Sequence, residues 1–188
     1  MSTFERLKQE FPVNWVTILV GWKGLGAMSP WPERWTEFPS LLTVKELEDY
    51  ALERLTSSDS PAELTAIADL TDVGSKRREE IASELSPLAR SDSGDPVFEL
   101  RKWRLAILQE TIENLPSDPT YALLALTEFW NSFGFPSDAP QKTREMGSSI
   151  RPAEYFRQEN VDRLLQSHRE WMANEIDAIK GQSTASGS

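Results

Sequence analysis

Apolar residues recur at intervals of three and four along most of the chain, and many of these runs begin at a residue suited to capping a helix. Thr43 with Glu46 forms a capping-box pattern, after which Leu47, Tyr50, Ala51 and Leu55 keep helical spacing until Ser57 and Ser58. Ser60-Pro61 with Glu63 repeats the device and predicts a helix burying Leu64, Ile67, Ala68 and Thr71. Ser75 is expected to open the next helix, with Ile81, Leu85 and Leu88 on one face and Pro87 kinking or ending it. Asp95-Pro96 starts a strongly amphipathic run with Leu100, Trp103, Ile107, Leu108 and Ile112 on one side and Glu99, Arg101, Lys102 and Glu110 elsewhere. Asp118-Pro119 starts its neighbour, which carries Leu123, Leu126, Phe129, Trp130 and Phe133 and meets Gly134 and Pro136, the expected stop. These two runs predict a helical hairpin.

A polar connection from Ser137 to Ser149 precedes a final helix over Pro152 to Lys180, with Val161, Leu164, Leu165, His168, Trp171, Met172, Ile176 and Ile179 along one stripe. Gly181 is expected to end it, leaving 182–188 as a disordered tail. At the amino end, Phe4, Leu7 and Phe11 suit a short helix, whereas Trp15 to Trp22 fits either a buried helix or, through Val16, Ile18 and Val20, a strand. Sustained period-two alternation occurs nowhere else, so a strand there has no sheet to join, and helix is the expectation. Nor does a fixed-period repeat of the solenoid kind emerge. The predicted fold is all-α, an irregular multi-helix domain of stacked antiparallel helical hairpins with a long C-terminal helix, forming a single domain over 1–181.

Composition narrows the function. A chain of 188 residues, 39% hydrophobic and 27% charged, lies in the globular range. With no cysteine, disulfides, thiolate metal sites and cysteine nucleophiles are excluded, and a reducing cytoplasm fits best. The first thirty residues hold no signal-peptide pattern, and the stretch Val16 to Val20 is far too short to span a bilayer. A net charge of −10 repels phosphate backbones, so nucleic acid is not expected as a partner, and without a long apolar stretch neither is a membrane. The acid excess concentrates in Thr43 to Asp72, with eight acids against two bases.

Common catalytic chemistry finds little purchase. The single histidine, His168, sits on the apolar stripe of the last helix, where a packed, hydrogen-bonded role outweighs a catalytic one. No serine occupies a Gly-x-Ser-x-Gly elbow, and Leu165 stands where a di-iron helix would carry its glutamate. Zinc has too few ligands, and Asp92 and Asp95 lack calcium-loop spacing, so no metal and no cofactor is expected. Gly21, Gly24 and Gly26 match no phosphate-binding pattern and read as turn glycines, while Lys76-Arg77-Arg78, beside Glu79 and Glu80, reads as a solvated first turn.

Two stretches carry candidate partner-binding residues. In the loop Met28 to Ser40, Trp31, Trp35 and Phe38 alternate with prolines, which suits either binding anchors or a flat cover over the core. Glu46, Asp49 and Glu53 are spaced to face one direction opposite Leu47, Ala51 and Leu55, as either an acidic docking stripe or a solvated outer face.

Trp15, Leu19-Val20-Gly21-Trp22, Asp49-Tyr50-Ala51-Leu52, Arg101-Lys102-Trp103 with Ala106 and Leu108, and Phe133-Gly134-Phe135-Pro136 together resemble the bacterial family catalogued as domain of unknown function 2247. The likeness spans Pro12 to Pro140 and leaves the terminal helix outside. In the family pattern an acid precedes the phenylalanine of the last motif, where this chain has Ser132. The resemblance implies no reaction and transfers no site residues, but it accommodates an immunity protein. The functional expectation is therefore a non-enzymatic protein-binding protein, of immunity or antitoxin type, whose acidic helical surface neutralises a basic toxin. Its rivals are an enzyme using carboxylates alone, between the Asp95 and Asp118 helices, and a helical adaptor with the Trp31 to Phe38 loop as the edge of its groove.

Overall fold

The computed structural model describes residues 1–28, 32–57, 61–92, 94–141 and 151–185. Its elements are α1 (Thr3–Glu10), α2 (Trp15–Lys23), two 3-10 stretches (Gly24–Met28 and Pro32–Glu37), α3 (Val44–Leu55), α4 (Pro61–Ala68), α5 (Arg78–Ser91), α6 (Pro96–Glu113), α7 (Pro119–Ser132), the single turn α8 (Pro152–Tyr155) and α9 (Gln158–Ala185). The fold is all-α, with no strand among the described residues. None of its described helices is long and apolar enough to cross a membrane. The chain divides into two compact units, Met1–Trp103 and Arg104–Ser188, with the boundary inside α6.

In the first unit, α2 settles the ambiguity between helix and strand. Asn14 caps it, accepting from the Thr17 amide at 2.9 Å, while the Thr17 hydroxyl accepts from the Asn14 amide at 3.1 Å. Seven of its nine residues are buried, which explains the continuous apolar run: a helix enclosed on all sides needs no polar face. Its end needs glycine. Gly24 has φ +61°, and a Cβ there would collide with the Pro39 carbonyl oxygen.

The capping box at α3 forms as expected, with Glu46 N–H donating to the Thr43 hydroxyl at 3.2 Å and Thr43 N–H to the Glu46 carboxylate at 2.8 Å. The Ser60 cap of α4 lies outside the described residues. α4 stops at Ala68, so Ile67 is buried but Ala68 is exposed and Thr71 only half-buried; Leu70 and Val73, beyond the helix, fill the core instead. Ser75 does not cap α5. The chain turns through Lys76 and Arg77, and the helix begins at Arg78, where Glu80 reaches back to accept from Arg77 N–H at 3.0 Å. Pro87 does not end α5: Pro87 and Ser83 are both exposed, so solvent can satisfy the carbonyl that loses its partner.

The second unit is built on the rest of α6 with α7, α8 and α9. Asp118 caps α7 by accepting from the Thr120 and Tyr121 amides at 2.8 and 3.3 Å. The expected stop appears at Gly134, φ +70°, with Phe135 N–H returning to the Trp130 carbonyl at 2.9 Å. One core joins Leu108, Leu126, Phe129, Trp130 and Ala139, flanked by Trp171 and Met172; a second joins Ala122, Leu123, Val161 and Leu164.

The terminal helix departs from expectation at both ends. It is interrupted between α8 and α9, where the Asn160 side chain donates to the Tyr155 carbonyl at 2.7 Å in place of a continuing helical amide. It also runs past Gly181 to Ala185, because a glycine in ordinary helical conformation weakens a helix by about 1 kcal/mol without forcing a stop. Residues 182–185 are therefore helical, and 186–188 lie outside the described residues.

Candidate functional site

The acidic stripe lies on α3. Asp49 and Glu53 are exposed and Glu46 is half-buried. Their surroundings differ. Glu46 closes the capping box and so holds its own helix start. Asp49 receives Lys45 at 2.8 Å, and Glu53 receives Lys8 of α1 at 2.9 Å. The hydrogen bond to Asp49 holds the Lys45 ammonium above its ordinary value. Between the two acids stands Leu52, 49% exposed, a large apolar side chain on an otherwise charged face. Exposed ion pairs contribute little to stability, so Asp49 and Glu53 can exchange their lysines for cations of a partner at small cost.

In the loop, Trp31 lies outside the described residues. Trp35 and Phe38 are half-buried. Arg78 fastens the segment: its guanidinium lies 5.0 Å from the Trp35 ring centroid and 6.0 Å from that of Trp22, and it donates to the Phe38 and Trp22 carbonyls at 2.7 Å each. Trp22 Nε1–H answers with a bond to the Arg78 carbonyl at 3.0 Å. Arg78 thereby ties Trp35 and the Phe38 backbone to the end of α2. Only Arg77 of the basic run keeps the expected solvated position, and only Arg78 lies in the first turn of α5. Lys76 binds Glu84 and the Asp69 carbonyl, Arg77 binds Glu80, and Arg78 is turned inward.

The structure also contains a buried polar centre that the hydrophobic pattern misses. Glu99 and Lys102 of α6, each 2% exposed, form an ion pair at 2.8 Å. The Thr17 hydroxyl donates to the other Glu99 oxygen at 2.5 Å, and Lys102 also donates to the Pro12 carbonyl at 3.2 Å. The ammonium lies 5.2 Å from the Phe98 ring centroid. Trp103 Nε1–H donates to the Thr17 carbonyl at 2.9 Å, so the end of α6 in this unit is locked to α2. Nearby, Tyr50 donates to the Val13 carbonyl at 3.2 Å, and burial pushes its phenol far above the ordinary range. The available signal is positional: residues 99, 102, 103 and 106 share one helix face, which places the two charges with Trp103 and Ala106.

His168, fully buried in the second unit, accepts from Trp130 Nε1–H at 2.8 Å through Nε2, and its Nδ1 lies 2.6 Å from the Leu164 carbonyl. A carbonyl only accepts, so Nδ1 carries the proton and the ring is neutral. Burial lowers its proton affinity, and the Leu164 carbonyl partly opposes this. A second charged group in this unit, Arg104, lies 4.9 Å from the Trp171 ring centroid and binds Glu175 at 3.1 Å, while Trp171 Nε1–H donates to Asp138 at 3.0 Å.

The acids of the carboxylate-enzyme reading act as caps: Asp95 accepts from the Val97 amide and Asp118 from the Thr120 amide. Among the described residues no three His, Asp or Glu side chains are grouped so as to hold a metal ion.

No curated protein and no solved structure matches the chain. A family model described as an uncharacterized protein conserved in bacteria, DUF2247, matches residues 4–176. That span takes in most of α1 and of α9, so the match reaches well into the terminal helix, which was expected to lie outside it. The chain belongs to this bacterial family, DUF2247.

Proposed function

We propose that this protein is a non-enzymatic, cytoplasmic binding protein of immunity type, which neutralises a basic toxin through the outer face of α3. One observation supports the reading above the rest: exposed Leu52 stands between exposed Asp49 and Glu53, within a segment carrying eight acids and two bases. An apolar anchor inside a charged rim is the usual composition of a docking patch, and the acid excess would steer a cationic partner. The lysines now on the two acids are exposed to different degrees and can be displaced. Glu46 belongs to the helix cap and not to the docking surface.

The test is calorimetric titration against proteins encoded by the genes flanking this one in its host. The pair Asp49→Lys and Glu53→Lys should weaken association at least tenfold and reduce its dependence on salt. Leu52→Ala should weaken it without altering the salt dependence. Binding that survives both changes rejects the α3 face as the surface.

A further inference from the structure

The Trp130–His168 contact works only when the imidazole is neutral. Nε2 is the acceptor of the Trp130 indole N–H at 2.8 Å, and Nδ1–H is already directed at the Leu164 carbonyl of its own helix. A proton arriving on Nε2 would set two N–H donors against each other inside a fully buried site. Separation of the two side chains relieves the conflict. Since Trp130 belongs to α7 and His168 to α9, that separation loosens one helix from the other.

We propose that Trp130 and His168 form an acid-sensitive latch that holds α9 against α7 and releases it when the imidazole is protonated. Other charged groups do not supply this response. Arg104 of α6 lies over the Trp171 ring and pairs with Glu175 of α9, Asp138 of the loop after α7 accepts from the Trp171 indole N–H, and the Trp171 ring lies 5.2 Å from that of Trp130, itself 5.8 Å from the imidazole. Glu128 of α7 and Arg169 and Glu170 of α9 are exposed. Both residues of the latch belong to the second unit.

Amide hydrogen exchange of the full chain, corrected for intrinsic exchange rates, tests this between pH 7.5 and pH 5.5. Protection of the α9 amides should fall by about tenfold across that range, as for a group that takes up a proton near pH 6.5 only after release. The Trp130 indole resonance should move in step, and α2 amides should keep their protection. In His168→Gln the α9 response should be flat with pH, whatever its absolute protection. The proposal is overturned if α9 protection in the wild type does not change, if α2 loses protection in parallel, or if His168→Gln retains the response. Should the variant fail to fold, the comparison of α9 with α2 in the wild type decides alone.

Discussion

Trp103 lies on Gly21. A Cβ at position 21 would overlap Cζ2 of the indole and approach Cε2 to 2.7 Å and Cη2 to 3.0 Å. The ring cannot slide aside freely, because its Nε1–H is bonded to the Thr17 carbonyl one turn earlier on the same helix. Gly21 is thus the contact point through which α2 receives Trp103.

Gly21→Ala should therefore destabilise the protein by about 1–3 kcal/mol, although alanine is the better helix former by about 1 kcal/mol. Gly181→Ala gives the internal comparison: nothing lies within 4 Å of a Cβ there, and the position is exposed within α9. The same substitution should be neutral or stabilising by ~0.5 kcal/mol near a helix end. Thermal denaturation of both variants reads the difference in sign.

Arg78 governs the aromatic loop. Arg78→Ala removes the cation beside Trp35 and the donors to the Phe38 and Trp22 carbonyls. Cleavage within Pro32–Glu37 by a nonspecific protease should accelerate at least tenfold, with Arg78→Lys intermediate because an ammonium cannot match the fork of a guanidinium.

The buried pair Glu99 and Lys102 should show strong coupling. Lys102→Met alone leaves a buried carboxylate without its cation and should cost about 3–5 kcal/mol, whereas Glu99→Leu with Lys102→Met should cost considerably less. A double-mutant cycle in denaturant measures the excess. Thr17→Val should add a smaller loss, about 1–3 kcal/mol, from the hydroxyl bond to Glu99.

Trp130→Phe removes the N–H that faces Nε2 of His168. The imidazole then loses the donor that opposes its protonation, so its pKa should rise toward the ordinary histidine value. Wild-type stability should decline as pH falls below about 6.5, where the unfolded chain takes up a proton that the folded ring resists, and Trp130→Phe should show a shallower decline. Nitrogen chemical shifts of His168 and denaturation at several pH values check both statements.

The helical pattern was legible wherever a cap coincided with periodic leucines, as at Thr43, Asp118 and Gly134, because these signals are local. It failed where tertiary contacts decide. Ser75 is a good cap by type, but the chain instead places Lys76 on Glu84 and starts α5 at Arg78. Gly181 is a good stop by type, but nothing requires a left-handed residue there. The break at Phe156 has no punctuation in sequence and rests on the Asn160 side chain. Glu99 and Lys102 were placed off the apolar side of α6 because periodicity marks apolar residues, and a carboxylate paired with an ammonium inside the core leaves no such mark. On α3 the capping role of Glu46 and the outward face of Asp49 and Glu53 were legible from spacing, but the pairing of Glu53 with Lys8 was not, because Lys8 lies on α1.

The central claim is that the protein acts by binding and not by turnover. Titrating it into each enzyme that the genes flanking its own encode, while following that enzyme's activity, addresses the claim most directly. Activity should fall linearly to zero at a fixed molar ratio, and the Asp49→Lys, Glu53→Lys variant should require a large excess. Activity unaffected at every ratio, or a progressive loss at far below stoichiometric amounts, would contradict it.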